Sequence, residues 1–160
     1  MVISGTPNLG ERVEFQRRAE MGAPIIDGQL LRFLVDIEIR KAQRLRYCMS
    51  LVRIAADLAP PDTVPPSEPP FAEMVAGKIR STDVVARWAS TSLTLLLVDA
   101  DVTSLPSIVG RLTTELGIVW SAGGSCYPRT ATGTDDLLRQ AEDRMLKAQR
   151  DGRTRLYLPT

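Results

Sequence analysis

The chain of 160 residues carries 20 lysines and arginines against 19 aspartates and glutamates, a formal net charge of +1, and it contains no histidine. A nearly neutral chain lacks the basic footprint of a nucleic-acid-binding or membrane-binding protein, so we expect no nucleic-acid partner. Without histidine, Ser-His-Asp triads and His-ligated metal sites are excluded. Hydrophobic residues make up 44% of the chain, which suffices for one domain with a buried core. No apolar run reaches the roughly 20 residues of a membrane span.

The first residues and the cysteines indicate a single cytoplasmic domain. Residues 1–24 are interpreted as a leader or connector, followed by one domain at residues 25–160. The beginning of the chain lacks the basic-then-apolar order of a secretory signal peptide. Cys48 and Cys126 are too few for a disulfide framework, and both lie in apolar runs. We therefore expect buried free thiols in the reducing cytoplasm.

The first predicted helix covers Asp27–Arg46. Apolar residues recur along it at helical spacing, and Asp27 is a suitable N-terminal cap. Basic residues occupy much of the remaining surface, but Asp36 and Glu38 lie among them, so this surface is expected to be solvated. The face expected to be buried contains Leu30, Phe33, Leu34, Ile37 and Leu45, with Ala42 between them.

The rest of the chain alternates strands and helices. Residues 57–70 hold six of the eleven prolines and are predicted to form an extended loop. We expect Trp88 to be a core residue and Gly123-Gly124 to form a β-bulge. The order of elements predicts an α+β fold in which helices cover a mixed β-sheet. The other predicted elements are the strand Tyr47–Ala56, the helix Phe71–Arg80, the hairpin Asp83–Asp99, the helix Asp101–Leu116, the strand Ile118–Tyr127, the helix Asp135–Arg150 and the strand Arg155–Leu158.

Three stretches resemble the GGDEF (diguanylate cyclase) family. Residues 80–98 are similar to the R-x-x-D-x5-GGDEF segment of the family and the strand that follows it. Residues 121–128 (SAGGSCYP) resemble its S-I-G-V-A strand, and residues 137–155 resemble its L-L-x-x-A-D-x-A-M-Y-x-A-K-x-x-G-R-N-R segment. With the first helix and strand, the resemblance covers residues 25–158. It implies the palm-like mixed sheet of nucleotidyl cyclases, covered by helices.

The resemblance also implies that the catalytic residues of the family are missing. The signature loop aligns with Ala89-Ser90-Thr91-Ser92-Leu93, which places Ser92 at the metal-binding and catalytic glutamate. The metal-binding aspartate of the first strand aligns with Ala55, and the triphosphate-binding lysine aligns with Gln149. Phosphoryl transfer depends on metal ions that neutralise the triphosphate. We therefore expect a degenerate domain with no diguanylate cyclase activity, no catalytic residues, no metal site and no cofactor.

The segment Arg80-Ser81-Thr82-Asp83 matches the R-x-x-D turn of the family. In the family this turn is the inhibitory site, or I-site, which binds cyclic di-GMP, commonly as an intercalated dimer. Arginine offers planar donors to a guanine edge or a phosphate, and aspartate can accept from guanine N–H groups. The resemblance implies a second arginine, for which the candidates are Arg111, Arg87 and Arg53.

Two hypotheses for the function follow. In the first, the chain is a receptor for the bacterial second messenger cyclic di-GMP, which it binds through Arg80 and Asp83. It would pass the signal to a second copy of the chain or to a partner signalling protein. The alternative is a ligand-free interaction or dimerisation module, in which Arg80 is only a helix-terminal cation and Asp83 only a turn residue. Its predicted contact regions are the proline-rich loop and the helix Asp27–Arg46.

Overall fold

A computed structural model describes residues 22–57, 71–89, 91–152 and 154–159. The predicted leader and the proline-rich loop lie almost entirely outside these residues. The elements are β1 (Ile25–Asp27), α1 (Gly28–Leu45), β2 (Met49–Ala56), α2 (Phe71–Ala76), β3 (Val84–Ala89), β4 (Ser92–Val98), a 3₁₀ turn (Val102–Ser104), α3 (Leu105–Leu116), β5 (Trp120–Tyr127), α4 (Thr134–Arg150) and β6 (Arg155–Tyr157).

The strands of the described residues form a six-stranded sheet with the order β1-β3-β4-β2-β5-β6. The pairs β1–β3 and β5–β6 are parallel and the others antiparallel.

Helices cover both faces of this sheet, which confirms the predicted α+β fold. Side chains of a strand point alternately to the two faces. Leu51 and Leu96 therefore meet α1 and α4 on one face, while Val52 and Leu95 meet α2 and α3 on the other. The central strand β2 is buried at every position, as expected from its nearly continuous run of apolar residues.

The predicted buried face of α1 is wrong in part, although the helix and its caps are as expected. The side chain of Asp27 accepts from the Leu30 N–H at 2.8 Å, and Arg46 closes the helix in the left-handed conformation. The buried apolar residues are Leu31, Val35 and Ala42, of which Ala42 was on the predicted face, and Leu34 packs partly against the same core. Apolar residues are adjacent in sequence at 30–31 and at 34–35, so two overlapping apolar faces fit the helical period. The sequence therefore does not show which of the two faces is buried. The stripe left in water includes Leu30, Phe33 and Leu45, which are 43%, 60% and 65% exposed.

The expected bulge at Gly123-Gly124 is also wrong. The pairing of β5 with β2 runs without interruption, with Gly123 opposite Arg53 and Gly124 opposite Val52. Glycine is required here for packing, because a Cβ on Gly123 would lie 2.2 Å from the carbonyl oxygen of Ala141 in α4. The register shift of the sheet lies instead in β3, between Arg87 and Ala89.

Smaller differences concern the edge strand of the sheet and the exposure of Trp88. The edge strand β1 was not predicted, because three residues are too few to display an alternating pattern. Trp88 was expected in the core but is 52% exposed, since it lies at the shifted register of β3. Both cysteines are free, Cys126 buried and Cys48 partly so. Burial raises the pKa of the Cys48 thiol, which keeps it protonated at neutral pH.

Candidate ligand-binding cleft at the Arg80–Asp83 turn

The turn before β3 holds Arg80 and Asp83 in a fixed pair. The backbone N–H of Asp83 donates to the Arg80 carbonyl oxygen at 3.0 Å, which closes a β-turn. Two side-chain bonds follow, from Arg80 Nε to Asp83 Oδ2 at 3.2 Å and from Arg80 Nη2 to Asp83 Oδ1 at 3.4 Å. The last residue of β4 completes the arrangement, because the Val98 N–H donates to Asp83 Oδ1 at 3.0 Å and the Val98 carbonyl accepts from Arg80 Nη2 at 2.6 Å.

The two side chains of this pair differ sharply in exposure. The Asp83 side chain is 2% exposed, whereas that of Arg80 is 59% exposed. A buried carboxylate is tolerated only when hydrogen bonds replace its water, and Arg80 with the Val98 N–H supplies them. Asp83 thus fixes the orientation of the Arg80 guanidinium through hydrogen bonds to one of its edges. The remaining surface of Arg80 faces solvent.

A cleft of about 270 Å³ lies beside this turn, on the face of the sheet that α2 and α3 cover. Its floor is apolar and its rim is polar. Arg111 approaches from the exposed surface of α3, and among the described residues it makes no ion pair or hydrogen bond. Two guanidinium groups, one anchored and one unpaired, therefore line the same cleft. The lining residues are Ile79, Arg80, Asp83, Leu97, Asp99, Ala100, Ser104, Ile108 and Arg111.

Asp99 is the acidic residue exposed at this cleft. It follows β4 directly and adopts a positive φ of 57°, a conformation in which aspartate and asparagine are several-fold enriched. Its carboxylate opposes the positive charge of Arg80 and Arg111. The cleft consequently has little net charge as it stands, and selectivity for an anionic ligand has to come from the geometry of the two arginines.

The other two candidate arginines lie elsewhere. Arg87, on β3, forms an ion pair with Glu73 of α2 and does not line the cleft. Arg53, on β2, lies on the opposite face of the sheet, where its guanidinium stacks on Trp88. Of the three residues named as a second arginine, the structure brings only Arg111 to Arg80 and Asp83. Sequence reasoning missed Asp99 and Ser104, for which the only signal was their position just after a strand and just before a helix.

The positions that align with the metal ligands of the GGDEF family do come together. Ala55 of β2 stands directly opposite Ser92 of β4 in the sheet register. A methyl group and a hydroxyl group face each other there. Divalent cations such as Mg²⁺ are held by carboxylates in proteins, so this pair of side chains does not fit a metal ion. Gln149, aligned with the triphosphate-binding lysine, is an exposed residue of α4.

Comparison with known proteins identifies the fold. No protein-family model matches the sequence, and no curated protein matches it either. Solved structures do match. The GGDEF domain of YfiN (TpbB) from Pseudomonas aeruginosa has a TM-score of 0.73 and 20% identity, covering 84% of this chain and 96% of that one. The chain therefore has the fold of GGDEF domains, as predicted.

Two further matches were solved with a bound molecule. The GGDEF domain of DgcB from Caulobacter crescentus, in complex with c-di-GMP, has a TM-score of 0.70 and 12% identity over 82% of this chain and 87% of that one. Diguanylate cyclase SiaD from Pseudomonas aeruginosa, in complex with its activator SiaC, has a TM-score of 0.72 and 16% identity over 94% of this chain and 66% of that one. No helix among the described residues of the present chain has the length and apolar character needed to cross a membrane.

Proposed function

We propose that this chain is a catalytically inactive GGDEF-like domain that acts as a receptor for cyclic di-GMP. The observation that carries the proposal is the cleft that joins Arg80, Asp83 and Arg111 above an apolar floor. The fold shared with a domain solved in complex with c-di-GMP supports the same ligand. The chain would act as a cytoplasmic signalling module.

The chemistry of the cleft suits a guanine nucleotide. Ile79, Leu97 and Ile108 offer an apolar surface for a purine ring. Arg80 has its guanidinium oriented by Asp83, so less side-chain freedom is lost when it binds a guanine edge or a phosphate. Arg111 is unpaired among the described residues and is available for a phosphate. Asp83 already accepts three hydrogen bonds from its own chain, two from Arg80 and one from the Val98 N–H, so its first role is to hold Arg80.

The size of the cleft constrains how the ligand would bind. Its volume of about 270 Å³ is just below the range of roughly 300–1,000 Å³ that is typical of small-molecule pockets. At this volume we expect one base to enter the cleft, while the second base and part of the phosphodiester ring stay outside. This geometry favours a ligand that stacks on a second ligand molecule, which is the intercalated dimer that the family resemblance implies.

The proposed lack of cyclase activity rests on Ala55, Ser92 and Gln149. Without a carboxylate at the first two positions and a cation at the third, a nucleoside triphosphate would lack metal ions and a phosphate contact. We expect no production of cyclic di-GMP from GTP in the presence of Mg²⁺ or Mn²⁺. Turnover by the purified wild type, absent from a heat-inactivated sample, would overturn this part of the proposal.

Isothermal titration calorimetry with cyclic di-GMP tests the receptor function. We expect saturable binding by wild type and a loss of at least about tenfold in affinity for Arg80→Ala, since removing a charged hydrogen-bonding group costs 1.4 kcal/mol or more. Arg87→Ala is the matched control, because it removes an exposed arginine that pairs with Glu73 outside the cleft. No binding by wild type, or equal loss in both variants, would reject the proposal.

A second candidate function, an interaction or dimerisation module, has support from α1. Leu30, Phe33 and Leu45 leave apolar surface on this helix in water, and contiguous exposed apolar patches commonly mark protein-binding surfaces. Sedimentation velocity with and without cyclic di-GMP distinguishes the two functions. A dimer that forms without ligand and is lost in Phe33→Asp favours the module. A dimer that appears only with ligand favours the receptor.

A further inference from the structure

The side of α1 that faces away from the sheet leaves apolar surface in water. Six large hydrophobic side chains are exposed among the described residues, and three of them, Leu30, Phe33 and Leu45, belong to this one helix. Ile37 is half-buried and stands one turn after Phe33. Residues three or four apart are neighbours on a helix surface, so Leu30, Phe33 and Ile37 form a continuous apolar strip.

The apolar strip continues into a basic segment of the same helix. Arg40 and Arg44 follow Ile37 at helical spacing, and both are exposed. Neither side chain makes an ion pair or a hydrogen bond with a described residue. The helix dipole favours a cation in the last turn, which accounts for Arg44. It does not account for Arg40, which lies one turn earlier, or for the apolar strip.

The acidic residues of α1 do not neutralise these two arginines. The helix contains two of them, Asp36 and Glu38. Asp36 accepts a hydrogen bond from the Thr134 hydroxyl of α4. Glu38 is 8% exposed and accepts from Tyr47 Oη and Lys41 Nζ. Both carboxylates are therefore engaged by groups of the domain, and neither forms an ion pair with the arginines that follow the apolar strip.

Charge and shape together favour one kind of occupant for this surface, an acidic amphipathic helix. The surface from Leu30 to Arg44 is roughly 21 Å long, which matches about four turns of a helix. A helix packed antiparallel on α1 would bring its first turns to Arg40 and Arg44 and its later turns to the apolar strip. Acidic residues are favoured in the first turn of a helix by its dipole, so the carboxylates of such a partner would face the arginines.

A second copy of the chain matches this surface less well. Parallel pairing of two α1 helices would set Arg40 and Arg44 against their own counterparts. Antiparallel pairing would set them against Leu30 and Phe33, so the guanidinium groups would lose water without gaining a counter-charge. An acidic partner avoids both penalties.

We propose that the outer face of α1, formed by the apolar strip with Arg40 and Arg44, binds an acidic amphipathic helix of a partner protein. Apolar side chains of the partner pack on Phe33, and its carboxylates pair with the two arginines. The proposal rests on the second candidate function, an interaction module, and adds the chemistry of the partner. The outer face of α1 shares no residue with the cleft of Arg80, so the result of the cyclic di-GMP titration does not decide it.

Binding of two synthetic peptides to the whole chain tests this surface. Both peptides are amphipathic helices with the same leucines in their second half, and the first two turns carry glutamates in one and lysines in the other. Fluorescence anisotropy of the labelled peptide gives the dissociation constant. We expect saturable binding of the glutamate peptide, and a dissociation constant at least about tenfold higher for the lysine peptide. Phe33→Asp should weaken binding of the glutamate peptide by a similar factor.

Reversal of the two arginines is the more specific test. Arg40→Glu combined with Arg44→Glu should invert the preference, so that the lysine peptide binds more tightly than the glutamate peptide. Arg139→Glu with Arg150→Glu is the matched control, because it changes the net charge equally on exposed positions of α4. Leu146→Asp, at an exposed leucine of α4, is the control for Phe33→Asp. All these side chains are exposed, so the melting temperatures should stay close to that of wild type.

Several outcomes would overturn the proposal. Wild type that does not bind the glutamate peptide saturably, or control variants that lose as much binding, would reject it. A preference for the glutamate peptide that survives the reversal of both arginines would also reject it. A dimer in sedimentation velocity that is lost in Phe33→Asp would make the occupant a second copy. Binding to phosphatidylglycerol vesicles without peptide binding, lost on reversal of the arginines, would make it a membrane surface.

Discussion

Arg80 and Arg53 lie on opposite faces of one sheet and are held in opposite ways. Arg80 has a side chain that is 59% exposed and binds a buried carboxylate and a backbone carbonyl. Arg53 is 7% exposed and stacks on Trp88 without any hydrogen bond within the described residues. Water screens an exposed arginine, so its ion pair adds little to stability, and a ligand can bind it at little cost. A buried arginine whose Nε has no hydrogen-bond partner among the described residues is costly as it stands.

The largest expected effect concerns the enclosure of Arg53. Gly123→Ala would place a methyl group 2.2 Å from the Ala141 carbonyl oxygen and the Met145 nitrogen, forcing α4 away from the sheet. We expect the free energy of unfolding to fall by about 3 kcal/mol. Urea unfolding followed by circular dichroism measures it. Gly133→Ala is the matched control, because nothing lies within 4 Å of a Cβ there. Equal unfolding midpoints for the two variants would mean that the backbone of α4 does not pack closely against β5 at Gly123.

The stabilities of two variants distinguish a structural role of Arg80 from a role in ligand binding. Asp83→Ala should lower the free energy of unfolding by about 2 kcal/mol, because it leaves the partly buried Val98 N–H without its acceptor. Arg80→Ala should cost less than Asp83→Ala, because water that enters where the exposed Arg80 side chain stood can solvate the Asp83 carboxylate, which loses two of its three hydrogen bonds. Urea titrations of both variants test this order. If Arg80→Ala is the more destabilising, Arg80 is a structural residue and the case for a ligand contact weakens.

A smaller effect is expected from Asp99, whose negative charge opposes the positive charges of the two arginines of the cleft. Asp99→Asn removes a negative charge from the rim, and asparagine tolerates the positive φ of this position. Cyclic di-GMP should bind about 1.4–5-fold more tightly, corresponding to the roughly 0.2–1 kcal/mol of an exposed charge pair. Calorimetry at low and high salt measures the gain, which should shrink at high salt because of screening. A gain that does not depend on salt would contradict this electrostatic explanation.

Glu38 is a buried charge that has partners, and its expected effect appears only at alkaline pH. Tyr47 Oη donates to Glu38 Oε1 at 2.5 Å, and burial together with this carboxylate raises the pKa of Tyr47 from 10.0 to about 12. The unfolded chain therefore loses the tyrosine proton at lower pH than the native protein does. The stabilisation is fully present below pH 10 and is lost as the pH rises toward 12. The urea midpoint of wild type should fall more steeply in this interval than that of Tyr47→Phe. Parallel curves would place the Tyr47 pKa at its ordinary value.

The sequence predicts the helices and strands well because their signals are local. The cap at Asp27 and the glycine at Gly117 mark helix ends through their own backbone conformation. The pair of Arg80 and Asp83 was likewise visible as a short motif. Arg111 was visible only as one of three arginines, since its place in the cleft depends on how α3 packs against the turn.

What the sequence does not reveal depends on contacts between distant segments. The buried stripe of α1 is chosen by the sheet beneath it, not by the helix. The exposure of Trp88 follows from a register shift in β3, and the need for Gly123 comes from the backbone of α4. The isolation of Arg53 could not be predicted, because a single charged residue in a strand gives no information on the partners that surround it.

The short edge strand β1 has a mechanical consequence. A Cβ on Gly22 would lie 1.9 Å from the Ala76 carbonyl oxygen, and that oxygen accepts from the Ala23 N–H at 2.9 Å. The next residues pair in parallel with β3, the strand that begins directly after Asp83. A force applied to the chain at Gly22 along the strand direction is therefore borne in shear by the β1–β3 hydrogen bonds. The force passes first to β3, the strand that is attached to the Arg80–Asp83 turn.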